Sequence, residues 1–457
     1  MKKSVLLSLS VLFMIFLLAF NKETPDVYTY IQPGTQRSGD SAKGYEYLIT
    51  GDFLSSGFPY KYFIMARGRD TNNYLGRTGK NATVGVGYNV IAGPDSIDMV
   101  IPTCLQCHAQ LFDGKLIVGL GNTYVDFRYP PDMKTLNAGI NMIRLTAPKQ
   151  YRASKAFFES FRSVTPLLVT EARGVNPADA LAAILAAHRD PQTLAWVDEP
   201  QITLPSQMVA TDVPAWWLLK KKNAMFYTGF GRGDFAKFLM ASNMLTVTDT
   251  AEANSVNSHF GDVLAYIRSI QPPKYPKPIN EQLAAKGKQV FDDNCSKCHG
   301  TYGDGSTYPN LLIPGDVIQT DSLLFNANQQ NPQFSEWFNK SWFSQLPYVA
   351  HIEASNGYVA PPLDGVWITA PYFHNGSVPT IETVLNSKLR PKYWTRNFTA
   401  PEYDYDKLGW KYVSLDTPSG KSAYNTSLQG YGNYGHYFGD VLTDKERKAV
   451  IEYIKTL

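Results

Sequence analysis

All four cysteines of this 457-residue chain sit in two copies of one pentapeptide, Cys104-Leu-Gln-Cys107-His108 and Cys295-Ser-Lys-Cys298-His299. Two thiols three residues apart share one turn and reach the two vinyl groups of a haem as thioethers. The histidine that follows turns inward as an axial iron ligand. With no cysteine left over, attached haems leave no thiol for a disulfide. The competing readings of such a pair are a redox dithiol or half a zinc site. The roughly 190 residues between the two pairs far exceed the usual spacing of a zinc site. The predicted cofactors are therefore two covalently bound haem c groups, each with its iron.

The chain opens as an exported protein does. Lys2 and Lys3 precede a 17-residue apolar stretch, residues 4–20, which Asn21, Lys22 and Glu23 break. No good small-x-small cleavage site follows. Residues 1–24 thus read as a signal peptide or as a retained N-terminal membrane anchor at the short end of spanning length. Either reading places the rest in the periplasm or outside the cell. A net charge of +3 does not point to nucleic acid. The densest basic cluster, Lys220 to Lys222, reads as a solvated edge.

Residues 271–280 contain four prolines and form the clearest boundary. Before it, residues 251–270 read as a helix with Val256, Phe260, Val263, Leu264 and Ile267 on one face. After it, Asn280 is an N-cap for a helix over residues 281–291. Helices are also predicted at 149–162, 177–188 and 233–243. Residues 113–121 read as a short hairpin, and residues 90–102 as a loop with Gly93-Pro94. At the C-terminus, Thr443 and Glu446 form a capping box ahead of Val450, Ile451, Tyr453, Ile454 and Leu457.

A six-coordinate haem c takes a Met or His on its far side. No methionine lies beyond Met244, so histidine is the first candidate for the second haem: His351, His374 or His436. His436 lies in the glycine-rich stretch 432–439, where glycines let backbone approach a flat ligand. For the first haem the field comprises His188, His259, Met208, Met225, Met240 and Met244, or an open site.

The second half resembles a small cytochrome c domain, with residues 287–299 as its first helix and haem turn and residues 442–457 as its last helix. The segment 361–384, with Ala370-Pro-Tyr-Phe-His374-Asn-Gly at its centre, resembles a signature of the bacterial dihaem cytochrome c peroxidase superfamily. That superfamily includes MauG and rubber oxygenase A, and the resemblance is closer to the latter. It implies a mainly α fold of two cytochrome c-like haem domains with long irregular loops and small β-hairpins. The first haem domain spans residues 25–272 and the second residues 273–457. In the peroxidases a methionine downstream of the signature histidine binds the electron-transfer haem; the matching position here is Lys388. The rubber oxygenase-like members use a histidine near the C-terminus, and His436 is similar in place. The resemblance makes His436 the distal ligand of the second haem and His374 an interface histidine. Trp216-Trp217 is similar to the aromatic bridge between haems. Residues 224–234 resemble the segment over the reactive haem, with Phe226 or Phe230 as its cap and Arg232 beside a peroxide anion or a propionate.

These likenesses imply an oxidoreductase. One haem relays electrons from a small redox donor or acceptor, and the other meets peroxide or dioxygen. Trp217, Phe226, Arg232 and His374 are the candidate catalytic residues. An oxygenase acting on an apolar substrate and a pure electron carrier are the rivals. The peroxidases also hold calcium between their domains, so calcium is implied by resemblance alone.

The paired motifs predict two haem additions in the intact mass of protein made with a c-type maturation system. They also predict a haem stain that survives a denaturing gel. A mass short of two haems removes the dihaem reading.

Overall fold

The computed structural model describes residues 28–457. The predicted export segment lies outside the described residues. Within them no helix is long and apolar enough to cross a membrane.

Helices form where the apolar periodicity places them. Asp249 caps Thr250–Ser269, which buries Val256, Phe260, Val263, Leu264 and Ile267. Asn280 caps Glu281–Asn294, its side chain accepting from the Leu283 N–H. Thr443 and Glu446 close the expected capping box on Asp444–Ile454. The 149–162 prediction divides at Ser154 into Pro148–Ala153 and Lys155–Val164. The 233–243 prediction becomes Phe235–Leu239, running on as a tighter turn over Met240–Leu245.

The mainly α expectation holds only in part. Helix makes up about 41 % of the structure, and small sheets make it mixed. There are three three-stranded and three two-stranded sheets among the described residues. Residues 90–102 are not a loop. Tyr88–Ala92 pairs antiparallel with Asp98–Pro102, and Gly93-Pro94 is the turn between them. Val90, Ile91, Met99, Val100 and Ile101 are all buried. Burial on both faces removes the alternation by which a half-exposed strand is recognised.

The first and last helices of the second half cross tightly. At Gly287 a Cβ would lie 1.8 Å from the Ala449 carbonyl oxygen, so only glycine allows this approach of two backbones. Phe291 and Tyr453 pack beside the crossing, ring centroids 5.3 Å apart. In the first half, Gly44 plays the same part between Ser41–Thr50 and Thr250–Ser269, where a Cβ would meet the Asp262 carbonyl at 2.0 Å.

The packing crosses the proline-rich stretch in both directions. Thr29–Tyr30 pairs with Leu311–Pro314, and Gly231–Gly233 pairs with Ala350–Ile352. Trp337, Phe338, Trp342 and Phe343 enter the core that holds Met240, Phe260 and Leu264. Residues 271–280 carry no regular structure but are docked. Trp367 Nε1 donates to the Pro273 carbonyl at 2.8 Å, and the Asn280 N–H donates to Glu452 at 2.6 Å.

Replacing Gly287 by alanine should destabilise the protein by about 1–3 kcal/mol despite the better helix propensity of alanine, because the new atom meets backbone that cannot rotate away. A lowered midpoint in urea or heat checks this; an unchanged midpoint means the crossing can open.

Candidate haem site

The two pentapeptides fold into the same turn. The His108 N–H donates to the Cys104 carbonyl at 2.9 Å, and the His299 N–H to that of Cys295 at 3.0 Å. Within each turn the second cysteine N–H also bonds the first cysteine's carbonyl, at 3.2 Å in both. None of the four cysteines is in a disulfide. Desolvation pushes Cys104 and Cys107 up to about 11 and Cys295 up to about 12, with the neighbouring thiol adding to the rise at Cys104 and Cys295. Thiols so placed stay neutral until a reaction consumes them.

The two histidines are held differently. His299 Nδ1 bonds the Pro361 carbonyl at 2.8 Å. That bond fixes the proton on Nδ1 and leaves the Nε2 lone pair for a metal. The Tyr302 hydroxyl donates to the His299 carbonyl and accepts from the Leu363 N–H, tying the turn to the same segment. His108 is partly buried against Trp216, ring centroids 4.6 Å apart and 19° between planes, and its Nδ1 has no hydrogen-bond partner. Burial holds it down to about 3, opposed by the Pro214 carbonyl.

Across from His299 stands His436. The ring centroids are 6.2 Å apart, the separation two imidazoles take on opposite sides of one metal with bonds of about 2 Å. His436 has a left-handed backbone, φ 47°, and its N–H donates to the Ile318 carbonyl at 2.8 Å. Arg390 holds the loop by donating to the carbonyls of Asn433, Gly435 and His436. His436 Nδ1 is buried without a partner. Burial holds its pKa down to about 3, helped by His299 and Arg390. Two neutral, partly buried, facing imidazoles fit an iron shared between them.

The other described histidines are engaged elsewhere. His188 stacks on Trp196 at 4.8 Å and bonds the Val197 carbonyl. His259 stacks on Tyr47 at 4.3 Å. His351 bonds Glu353. Trp216 is the ring stacked on His108. Met240 and Met244 are buried in the core that receives Cys104; Met208 and Met225 pack at its edge.

His374 is not in the facing pair. It bonds the Tyr358 hydroxyl at 3.0 Å and stacks on that ring at 4.2 Å. Its carbonyl accepts from the Asp212 N–H at 2.7 Å. Its neighbour Phe373 is the residue that reaches His436, 5.9 Å between centroids.

Trp216 and Trp217 part company. Trp216 enters the core that receives Cys104, and Trp217, fully buried, enters the core that receives Cys295. The Trp217 indole donates to the Asp364 carbonyl at 2.8 Å. The lysines beside them are not a solvated edge. Lys220 bonds Gln271, Lys221 pairs with Asp364 at 2.8 Å, and Lys222 bonds the Phe226 carbonyl. They staple the tryptophan turn to its surroundings.

Phe230 is buried in the core that receives Cys104; Phe226 is 40 % exposed and packs edge-on against Phe230 and Phe238. Arg232 is engaged by Glu353 and by the Gly229 carbonyl, so its charge is already committed. Lys388 lies in the Ser387–Leu389 turn. Among the described residues, no three His, Cys, Asp or Glu side chains gather where they could hold a metal ion, so the calcium expectation finds no side-chain cluster. Sequence reasoning missed Pro361, Tyr302 and Arg390. Their roles rest on backbone carbonyls brought in from distant segments, which no motif records.

Known proteins agree with this class of site. Residues 284–344 match the cytochrome c family, and residues 357–395 match the family described as RoxA-like, cytochrome c-like. The chain therefore carries a cytochrome c domain, which implies covalent haem c with its iron, and a relationship of the RoxA-like kind. Two proteins of Sinorhizobium fredii are similar to it. The uncharacterized protein y4iM is 26 % identical over 294 residues, covering 55 % of this chain and 66 % of its own length. The uncharacterized protein y4iJ is 42 % identical over 253 residues, covering 41 % of each. The chain thus spans just under two thirds of the first relative and well under half of the second.

The His374 environment makes a pH prediction. Burial holds its pKa down to about 3 from 6.5. Between those values the unfolded chain binds a proton that the folded chain refuses, so stability falls as pH drops. The loss should reach about 3 kcal/mol by about pH 4. Thermal melts of His374→Gln should show a shallower decline below about pH 6.5 than the parent; parallel declines would assign the acid sensitivity to other groups.

Proposed function

We propose that the protein is an exported dihaem c-type cytochrome oxidoreductase in which the two haems are unlike. His299 and His436 hold one as a filled electron relay. His108 holds the other, which meets hydrogen peroxide or dioxygen. The observation that carries this reading is the asymmetry of the histidines. One pair faces across 6.2 Å, whereas a tryptophan stacks on His108 and the remaining described histidines bond elsewhere.

When bound, a haem supplies an iron that changes oxidation state by one electron and can take a small oxidant at an open position. The chain's residues set the terms. The Pro361 carbonyl orients His299, and the Arg390 guanidinium holds the His436 loop. Trp216 and Trp217 join the surroundings of one pentapeptide to those of the other. The Lys221–Asp364 pair keeps that turn in register. A small redox protein or molecule supplies or accepts electrons. Export rests on the positive and apolar start of the chain.

The match of residues 357–395 to RoxA-like proteins favours a second reading, oxygenation of an apolar substrate. Dioxygen uptake that depends on such a substrate and needs no peroxide separates it from peroxidase chemistry.

The test is spectroscopic. The reduced protein should bind about one equivalent of carbon monoxide per chain, at the haem without a second histidine. His436→Ala should abolish the bis-histidine low-spin signal and raise carbon monoxide binding to about two equivalents, while His374→Ala keeps the signal. Absence of binding by carbon monoxide, cyanide or peroxide in every redox state would leave electron carriage as the function.

A further inference from the structure

The proposed haem chemistry leaves one large cluster of oxidisable side chains unused. Phe112, Trp367, Tyr403 and Tyr405 pack ring against ring beside Tyr275 and Trp410. Trp367 lies 5.8 Å from Phe112, 6.4 Å from Tyr403 and 6.2 Å from Tyr405, and the two tyrosines are 5.3 Å apart. The chain ties the cluster to the candidate haem residues. Phe112 ends the Ala109–Phe112 strand that directly follows His108. Trp217 is buried in the same core as Trp367, and its indole nitrogen lies against Gly365, two residues earlier in the chain. The cluster ends at Tyr405, which is partly exposed.

We propose that this cluster is a one-electron relay and that Tyr405 is its redox-active end, where an external phenolic donor is oxidised. The proposal rests on the reading of the His108 haem as the one that reacts with peroxide.

Tryptophan and tyrosine are the ordinary side chains that give up a single electron most readily, and van der Waals contact between rings suits electron transfer. A phenol loses its electron easily only if its proton can leave at the same time. Tyr403 cannot arrange that, because its hydroxyl donates to the Trp367 carbonyl, which does not take a proton. Tyr372 is likewise spent on the carbonyls of Val366 and Leu408. Tyr405 differs: its hydroxyl donates to the Asp113 carboxylate. Asp113 sits in the Asp-Gly turn of the hairpin that leaves His108, φ 47° and 74°, so the acceptor is placed by the same element that carries the candidate ligand. Lys277 lies 4.3 Å over the Tyr405 ring. A positive charge there opposes a ring cation and ties loss of the electron to loss of the proton. Burial and the Asp113 charge also hold the phenol well above its usual range, so it keeps its proton until it is oxidised.

In the step, the Tyr405 O–H bond breaks. The electron passes inward through Tyr403 or Trp367, and the proton goes to Asp113. A neutral tyrosyl radical remains. A phenol at the surface returns a hydrogen atom to it and becomes a phenoxyl radical, and Asp113 releases its proton. Two such events deliver the two electrons and two protons that convert one hydrogen peroxide to two waters.

The experiment uses the haem-loaded protein, mixed with hydrogen peroxide, frozen rapidly and read by electron paramagnetic resonance. A tyrosyl signal that narrows with ring-deuterated tyrosine is expected. Tyr405→Phe, which keeps the ring packing, should lose it, and Asp113→Asn should lose it or sharply reduce it. The haem absorption change with peroxide should persist in both. If that change persists and the signal is the same in Tyr405→Phe, the relay proposal fails. If peroxide leaves the haem absorption unchanged, the reading of the first haem fails instead, and flash oxidation with a ruthenium polypyridyl complex decides the relay. A Tyr405-dependent tyrosyl radical then supports it, and an identical radical in Tyr405→Phe overturns it.

Discussion

The hydrogen bond from His299 Nδ1 to the Pro361 carbonyl begins a run of contacts on which the whole site depends. The segment from Pro361 to His374 touches each functional element in turn. Leu363 holds Tyr302 and through it the haem turn; Asp364 receives Trp217 and Lys221; Trp367 anchors the proline-rich stretch. Phe373 reaches His436, and His374 closes on Tyr358 and Asp212. Few of these contacts are strong in isolation, since a neutral hydrogen bond contributes about 1 kcal/mol net. Their value lies in precision. A metal ligand oriented by a second hydrogen bond cannot drift, and drift of a ligand changes what its metal does.

The same segment explains why the two halves share one body. A free linker of four prolines would allow the haem-binding parts to move apart, but here it is bonded along its length to Trp367, Glu452 and Lys220. Strand pairs and the buried rings of residues 337–343 then carry the second half into the core of the first. The tryptophan pair sits on this seam with one indole in each core. The distance between the two pentapeptide turns is set by this packing, not by covalent geometry.

Burial also sorts the charged groups. Lys221 and Asp364 meet at 2.8 Å with little exposure, and Arg232 is matched by Glu353. Where no partner of opposite charge is available, carbonyls serve instead, as for Arg390 and Lys222. A buried cation left without such partners would cost several kcal/mol. Such residues hold loops in place, as Arg232 does through Glu353 and the Gly229 carbonyl.

The sequence by itself determined the haem turns, because two thiols and a histidine on one turn are local chemistry. It determined the long helices and their caps, because apolar periodicity and capping are also local. Counting methionines left three histidines as the expected second ligand, and resemblance pointed to His436. Only the tertiary structure placed His436 opposite His299, since that meeting requires 136 intervening residues to fold back. Only it decided that Phe373 reaches that histidine, that residues 90–102 are paired strands, and that Lys220 to Lys222 each bond a neighbouring group. The deciding partners are a ring, a paired strand, a carboxylate, a side-chain amide and a backbone carbonyl. A backbone carbonyl has no residue identity, and a strand buried on both faces has no alternation, so neither leaves a mark that a single sequence can display.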